Sequence, residues 1–172
     1  MSQNDPNLGR DVNAVARLEG SFKLRSGTIS NVYFDKYRFE ARPDLLKRVA
    51  ASMLKLVPLE TEILAGLELG GVPIATAMSL QSGAPAVFVR KKAKDYGTCL
   101  AIEGGDVKGR KVVIVEDVIT TGGQVALSAK DLRDAGADLI AVVCAIYRGE
   151  GEPHVKGLDV PVFAALTKDQ LV

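Results

Sequence analysis

Short apolar runs that alternate with helix-like segments are the feature that most limits how this chain can fold. Four such runs stand at EILAG (62–66), PAVFVRK (85–91), KVVIVED (111–117) and ADLIAVVCAIYR (137–148). Between them, VPIATAMSLQSG and TTGGQVALSAKDLRDAG have the pattern of helices that end at a glycine. Strands that are apolar on every face and separated by helices predict an α/β fold, with a central, mainly parallel sheet flanked by helices.

The segments outside this alternating core predict a smaller substructure. Apolar residues at helical spacing predict a helix over residues 8–19. SFKLRSG (21–27) and SNVYFD (30–35) predict two short strands joined by a glycine-containing turn. The C-terminal segment VPVFAALTKDQLV (160–172) is expected to pack with these strands, so that both ends of the chain form a small hood.

The length of 172 residues fits a single domain with one sizeable core. We expect that core to span residues 41–154, beginning with a helix that Pro43 opens and that reaches about Leu56. The hood would then comprise residues 1–40 and 155–172.

Charge and composition argue against several classes of function. The formal net charge is +1, so no general attraction to nucleic acid or to an anionic membrane is expected. No apolar run approaches the ~20 residues of a membrane-spanning helix, and the N-terminus lacks the pattern of a secretory signal, so we expect a cytoplasmic protein. Cys99 and Cys144 form no CxxC motif and His154 is the single histidine, which argues against a zinc site.

The most unusual stretch is VVIVEDVITTGG (112–123), in which Glu116 and Asp117 close an apolar strand and a turn of two threonines and two glycines follows. Backbone amides at the start of the next helix would bind an anion, and glycines let the backbone approach that anion closely. The two carboxylates would repel a phosphate that they faced, but they are suited to accept hydrogen bonds from a sugar diol. The stretch therefore predicts a sugar-phosphate site beyond the carboxyl ends of the strands.

The same turn could be an ordinary capped helix, with threonine as the N-cap and acids near the positive end of the helix dipole. Two adjacent acids at the end of an apolar strand favour the binding site. Other nucleotide-binding motifs fit poorly. GxGxxG does not occur, and GGDVKGRK (104–111) places Arg110 and Lys111 where a P-loop needs Lys and Ser or Thr.

VVIVEDVITTGG resembles the phosphoribosyl-pyrophosphate (PRPP) signature of the type I phosphoribosyltransferases. The resemblance implies that family's fold, with Glu116 and Asp117 holding the ribose hydroxyls and residues 120–124 holding the 5′-phosphate. The PRPP-binding residues that it implies within this stretch are Glu116, Asp117, Val118, Ile119, Thr120, Thr121, Gly122, Gly123 and Gln124.

Other segments are similar to the orotate phosphoribosyltransferases within that family. FKLRSGTISNVYFDKYRFE (22–40) resembles their N-terminal segment, FVRKKAKDYGT (88–98) resembles their mobile catalytic loop, and Arg148 matches their orotate-contacting arginine. The resemblance implies transfer of the 5-phosphoribosyl group from PRPP to orotate, which gives orotidine 5′-monophosphate (OMP) and pyrophosphate in UMP biosynthesis. The orotate-binding residues that it implies are Arg25, Tyr33, Phe34, Thr120 and Arg148.

The resemblance of the loop implies a catalytic group that closes over the leaving pyrophosphate and comprises Arg90, Lys91, Lys94 and Asp95. Tyr96 and the turn Glu68-Leu69-Gly70 would also contact PRPP. Mg²⁺ would be held by oxygens of PRPP and by water rather than by direct protein ligands. In this family the loop reaches into the neighbouring subunit's site, so the resemblance implies a homodimer with shared sites.

The chain departs from the family's pattern at three places. Many relatives have histidine where this chain has Tyr96, and the glycine-rich continuation of the loop is shortened to Gly97-Thr98. Some relatives place a lysine in the pyrophosphate turn, where this chain has Gly70. These departures concern the contacts of the loop and the turn more than the reaction.

The residues leave alternatives open. A phosphoribosyltransferase for another base would share the sugar-phosphate site but leave Arg148 without an anionic partner. A non-catalytic PRPP-binding regulator would be expected to carry a DNA-binding module and a basic face, and neither is evident in the sequence. Taken singly, Arg148 could be a surface arginine, Tyr33 and Phe34 could be core residues, and the basic loop could be an ordinary solvated segment.

Overall fold

The computed structural model describes residues 5–23, 27–91 and 101–171. The helices are α1 (Leu8–Ala16), α2 (Tyr37–Glu40), α3 (Pro43–Leu54), α4 (Gly71–Ser82), α5 (Gly123–Asp134) and a short 3-10 helix (Lys168–Gln170). The strands are β1 (Arg17–Lys23), β2 (Ile29–Phe34), β3 (Ile63–Leu67), β4 (Ala86–Val89), β5 (Ile102–Glu103), β6 (Lys111–Ile119), β7 (Asp138–Tyr147) and β8 (Val162–Thr167).

Six strands form the main sheet in the order β5-β4-β3-β6-β7-β8. Neighbouring strands from β4 through β8 are parallel, whereas β5 is antiparallel to β4. The predicted mainly parallel sheet is therefore confirmed. The strand order runs outward in opposite directions from β3 and β6, and such a switch point leaves a crevice at the carboxyl ends of the two central strands.

Both faces of the sheet are covered, which explains why its central strands are apolar throughout. On one face, Val113 and Val115 of β6 share a core with residues of α1, α2, α3 and α4. On the other face, Val112 and Ile114 share a core with α5. The end of a fully buried strand, rather than a surface loop, therefore carries Glu116 and Asp117.

Strands β1 and β2 form a separate antiparallel hairpin, with Arg17 opposite Phe34 and Lys23 opposite Ile29. The prediction of a helix over residues 8–19 was wrong at its end. Arg17 adopts an extended backbone, with φ −74° and ψ 122°, because it pairs with β2. The residues of the hairpin are exposed or half-buried, so the hairpin stands at the surface.

The C-terminal strand β8 is an edge strand of the main sheet and is parallel to β7. Its segment was expected to pack with the N-terminal strands, but Val162, Ala164 and Leu166 contribute to the two cores of the sheet. An edge strand of the main sheet and a strand of the hood would both bury these apolar residues, so the sequence pattern does not distinguish the two positions. Beyond β8, Lys168 and Leu171 line a cavity together with residues of the hairpin.

Between the predicted strands at residues 85–91 and 111–117, the structure contains a further short strand, β5, which was not predicted from the sequence. Ile102 and Glu103 pair with Val89 and Phe88 of β4, so the segment rejoins the sheet at its edge.

Across the described ranges, no helix combines the length and the apolar character needed to cross a bilayer.

Candidate active site

The two acids at the end of β6 point to opposite faces of the sheet, as neighbours on a strand must. Glu116 is 8% exposed and lines a cavity together with the turn that follows β6. Asp117 is fully buried and faces the other side, where Lys36 Nζ lies 2.5 Å from its Oδ2 atom. The two residues predicted to hold the ribose therefore lie at one strand end but not on one surface.

The turn after β6 encloses a cavity of about 490 Å³ at the start of α5. The lining residues are Glu116, Val118, Ile119, Thr120, Thr121, Gly122, Gly123, Gln124, Val125 and Leu127. The N-cap of α5 is Gly122, and no side chain among the described residues caps the helix there. The interpretation of the threonines as an ordinary cap is therefore wrong, and the first amides of α5 are available to an anion.

Gly122 adopts a left-handed backbone with φ 73°. A Cβ atom at this position would lie 2.6 Å from Cγ2 of Val155, so both the backbone and the neighbouring segment require glycine. A Cβ atom at Gly123 would meet no atom within 4 Å. The shape of the turn thus depends on the first glycine of the pair.

A second cavity, of about 660 Å³, lies between the hairpin and the end of the sheet. The lining residues are Asn13, Arg17, Ser30, Val32, Tyr33, Phe34, Thr120, Arg148, Lys168 and Leu171. Four of the five predicted orotate-binding residues line it together, and the fifth, Arg25, lies outside the described residues. Because Thr120 lines both cavities, they meet at this residue.

Arg148 stands at the end of β7 and lies over Phe34, with its guanidinium carbon 5.3 Å from the ring centroid. Its backbone amide donates a hydrogen bond of 2.8 Å to the carbonyl of Ile119, which joins the ends of β7 and β6. Arg17 and Lys168 add positive charge to the same cavity. Sequence reasoning missed both, because they come from β1 and from beyond β8, far from any motif.

The turn Glu68-Leu69-Gly70 follows β3 and lies beside the end of β6. Gly70 packs so closely against Asp117 that a Cβ atom would collide with Oδ2. This contact gives a physical reason why the chain has glycine where some relatives have lysine. Glu68 Oε2 accepts a hydrogen bond of 3.0 Å from the backbone amide of Lys91, which ties the turn to the end of β4.

Arg90 and Lys91 follow β4 at the same edge of the sheet. The other predicted loop residues, Lys94, Asp95 and Tyr96, lie outside the described residues.

Four ionisable groups cluster around the end of β6, namely Lys36, Glu40, Glu116 and Asp117. Burial, reinforced by the neighbouring Asp117, raises the pKa of Glu116 to about 9. Burial and the charge of Asp117 likewise raise the pKa of Glu40 to about 8. Both glutamates are therefore neutral near pH 7, since three adjacent carboxyl groups with one ammonium cannot all be ionised. No role for Lys36 or Glu40 was predicted from the sequence.

The oxygen ligands at this edge are of the type that Mg²⁺ prefers. Within residues 5–23, 27–91 and 101–171, no group of three or more histidines, cysteines or acids is placed to hold a metal ion.

Comparison with known proteins shows the same architecture and a related sequence. Residues 38–170 match the model of the phosphoribosyl transferase domain. The orotate phosphoribosyltransferase of Nocardioides sp. strain JS614 is 54% identical over 168 residues, which cover 97% of this chain and 94% of that protein. The enzyme of the same name from Methanocella arvoryzae is 45% identical over 132 residues, covering 77% and 75%. The crystal structure of orotate phosphoribosyltransferase from Mycobacterium tuberculosis H37Rv superposes with a TM-score of 0.87 at 26% identity, covering 98% of this chain and 99% of that one.

Proposed function

This chain belongs to the orotate phosphoribosyltransferases of the phosphoribosyltransferase family, and on that premise we propose that its two joined cavities bind PRPP and orotate. The reaction transfers the 5-phosphoribosyl group from PRPP to orotate and yields OMP and pyrophosphate, a step of pyrimidine biosynthesis. The observation that carries this assignment is the position of Thr120, which lines both cavities where the sugar and the base would have to meet.

The cavity after β6 suits the ribose 5-phosphate part of PRPP. The phosphate would bind the amides of the turn from Thr120 to Gln124, where the start of α5 favours an anion. Val118 and Ile119 supply the backbone that leads into this turn. Glu116 lines the same cavity and would accept hydrogen bonds from ribose hydroxyls, with Asp117 supporting the strand end from the other face.

The cavity beside the hairpin suits an anionic planar base. Arg148 offers a planar fork of donors that matches a carboxylate, and Arg17 and Lys168 add positive charge around it. Tyr33 and Phe34 would flank the ring, and Arg25 would complete the site from the segment after β1. This excess of cations favours orotate over a neutral base.

During the reaction, the bond from C1 of the ribose to pyrophosphate breaks while a ring nitrogen of orotate bonds to C1, and the proton that this nitrogen loses is released to the leaving pyrophosphate or to solvent. Negative charge grows on the leaving group, and its stabilisation is mainly electrostatic. We assign this role to Arg90, Lys91 and Lys94, include Asp95 in the same catalytic group, and expect Tyr96 and the turn Glu68-Leu69-Gly70 to contact PRPP together with this loop. The hydrogen bond from Lys91 to Glu68 supports this pairing of loop and turn.

Mg²⁺ is proposed as the metal cofactor. When bound, it would supply Lewis-acid stabilisation of the charge on pyrophosphate. Its ligands would be oxygens of PRPP and water, and Glu116 would accept hydrogen bonds from that water without ligating the ion.

A homodimer with the loop shared across subunits is proposed as the working assembly, in the cytoplasm and without nucleic-acid or membrane partners. The prediction is tested by mixing two inactive variants, Lys94→Ala and Arg148→Ala. If the loop acts in trans, mixed dimers contain one intact site and regain part of the activity. A mixture that forms heterodimers but stays inactive would contradict the shared loop.

The first experiment is to follow orotate consumption by its ultraviolet absorbance with PRPP and Mg²⁺, with adenine, hypoxanthine and uracil in parallel. Loss of the orotate signal that depends on PRPP and on the metal is expected. Turnover of another base instead would keep the ribose-phosphate site and remove the assignment of Arg148. Tight PRPP binding with no reaction on any base would indicate a PRPP-binding regulator.

A further inference from the structure

Lys36 has no part in the assignments above, yet it lies at the carboxyl edge of the central strands. It precedes α2, and its Nζ atom is 2.5 Å from Oδ2 of Asp117. The side chain of Lys36 is 33% exposed, whereas that of Asp117 is 1% exposed. A buried carboxylate therefore fixes an ammonium group that stays partly open to solvent.

The same carboxylate is covered from another side by Gly70. Because a Cβ atom at Gly70 would collide with Asp117 Oδ2, the ammonium of Lys36 and the backbone of the turn meet at one oxygen atom. An ammonium has three donors, so the pair with Asp117 leaves others for a further acceptor. The turn at Gly70 is the one assigned to pyrophosphate, so that acceptor would be a diphosphate oxygen.

Electrostatics at this edge require a cation. The buried carboxylate of Asp117 lies near a position that a diphosphate would occupy, with the protonated side chains of Glu40 and Glu116 beside it. Burial opposes the charge on Lys36, but the hydrogen bond and the charge of Asp117 outweigh it and raise the pKa of Lys36. Lys36 is thus an ammonium at neutral pH, placed between buried acids and the opening of the site.

From this geometry, and resting on the proposed function, we propose that Lys36 is a PRPP-binding residue whose ammonium contacts the diphosphate group and is held in place by Asp117. This role adds a diphosphate contact to the sugar-phosphate site, because the ammonium would separate the negatively charged leaving group from the carboxylate of Asp117. It also gives Asp117, which faces away from the phosphate cavity, a function as the anchor of a ligand-binding cation.

The test measures the affinities of two partial ligands by titration calorimetry in one Mg²⁺ buffer. Inorganic pyrophosphate represents the diphosphate, and ribose 5-phosphate represents the remainder of the sugar-phosphate site. We expect Lys36→Met to lower the affinity for pyrophosphate by about tenfold or more, because a charge-assisted contact is lost. The affinity for ribose 5-phosphate should stay unchanged. Lys36→Arg should retain most of the pyrophosphate affinity.

The matched control is Lys130→Met, which removes an exposed lysine from its pair with Asp134 on α5. This variant should bind both ligands as the unaltered protein does. Unchanged pyrophosphate binding in Lys36→Met would overturn the proposal. An equal loss for both ligands would also overturn it, because Lys36 would then act only through the structure of the site.

Removing Lys36 alone leaves Asp117 buried without its cation, and the variant could unfold. In that case Lys36→Met is combined with Asp117→Asn and compared with Asp117→Asn alone. A lower pyrophosphate affinity in the double variant supports the contact, and equal affinities contradict it. An unaltered protein that binds pyrophosphate but consumes no orotate would instead contradict the proposed function and leave the lysine contact standing.

Discussion

The two halves of the site are built in opposite ways. The sugar-phosphate half is the end of one buried strand and the turn after it, and its carboxyl groups at Glu116 and Asp117 are at most 8% exposed. The base half is an open cavity whose cations, Arg17, Arg148 and Lys168, come from three remote parts of the chain. The sugar-phosphate half is thus part of the hydrophobic core, whereas the base half lies at the surface.

This difference predicts how each half responds to change. A substitution in the sugar-phosphate half alters a packed, charge-balanced environment, so it should affect stability and PRPP use together. A substitution of an exposed cation in the base half should affect orotate use alone, since exposed charges contribute little to folding. The following predictions test that separation.

The largest effect is expected for Asp117→Asn, which removes the buried charge that pairs with Lys36. We expect kcat/KM for PRPP to fall about 100-fold and the free energy of unfolding to fall by about 1–3 kcal/mol, because a buried ionic partner is lost. Steady-state kinetics and urea unfolding measure the two changes. Asp134→Asn, at an exposed pair on α5, is the control and should change neither. Normal stability with normal PRPP kinetics would contradict the buried role.

The sugar-phosphate half comes from one segment and the base half from remote segments, and this explains why the sequence predicted the first half more completely. Glu116, Asp117 and the turn to Gln124 are contiguous, so strand burial and turn chemistry identified them together. Arg17 and Lys168 meet only because β1 pairs with β2 and β8 pairs with β7, and no local pattern reports those pairings. Neighbours on a strand face opposite sides of the sheet, but the sequence did not show that α5 would lie on the side of Glu116 and Lys36 on the side of Asp117.

Arg148→Gln is expected to have the next largest effect, confined to the base. KM for orotate should rise about 10-fold to 100-fold, as expected when a charge-assisted contact to a carboxylate is lost. KM for PRPP and the melting temperature should stay unchanged, because Arg148 is exposed. Initial-rate kinetics with each substrate varied in turn, together with a thermal melt, provide the measurement. A matching rise in KM for PRPP would show that the halves are coupled.

Gly122→Ala is expected to have a moderate effect, confined to the phosphate turn. Its left-handed backbone and the contact of a new Cβ atom with Val155 should distort the amides that are proposed to bind phosphate. We expect KM for PRPP to rise about tenfold, on the basis of a backbone cost of roughly 1–2 kcal/mol. Gly109→Ala is the matched control, since Gly109 is also left-handed, with φ 68° and no neighbour within 4 Å, but precedes β6 rather than following it. Equal kinetics for the two variants would contradict the special role of Gly122.

The smallest effect concerns pH and stability at Glu40, in the buried cluster. The pKa of Glu40 is about 8 in the folded protein, above its ordinary value, so the folded state keeps a proton that the unfolded chain releases. The stabilisation is complete below the ordinary glutamate pKa of about 4.3 and is lost as pH rises toward 8. Glu40→Gln cannot release a proton, so its melting temperature should fall less between pH 5 and pH 8, by roughly a few degrees. Glu60→Gln, at an exposed position before β3, should follow the unaltered protein. If the melting temperature of Glu40→Gln fell as much as that of the unaltered protein, Glu40 would be ionised in the folded state. The sugar-phosphate half would then hold charged side chains, as the base half does.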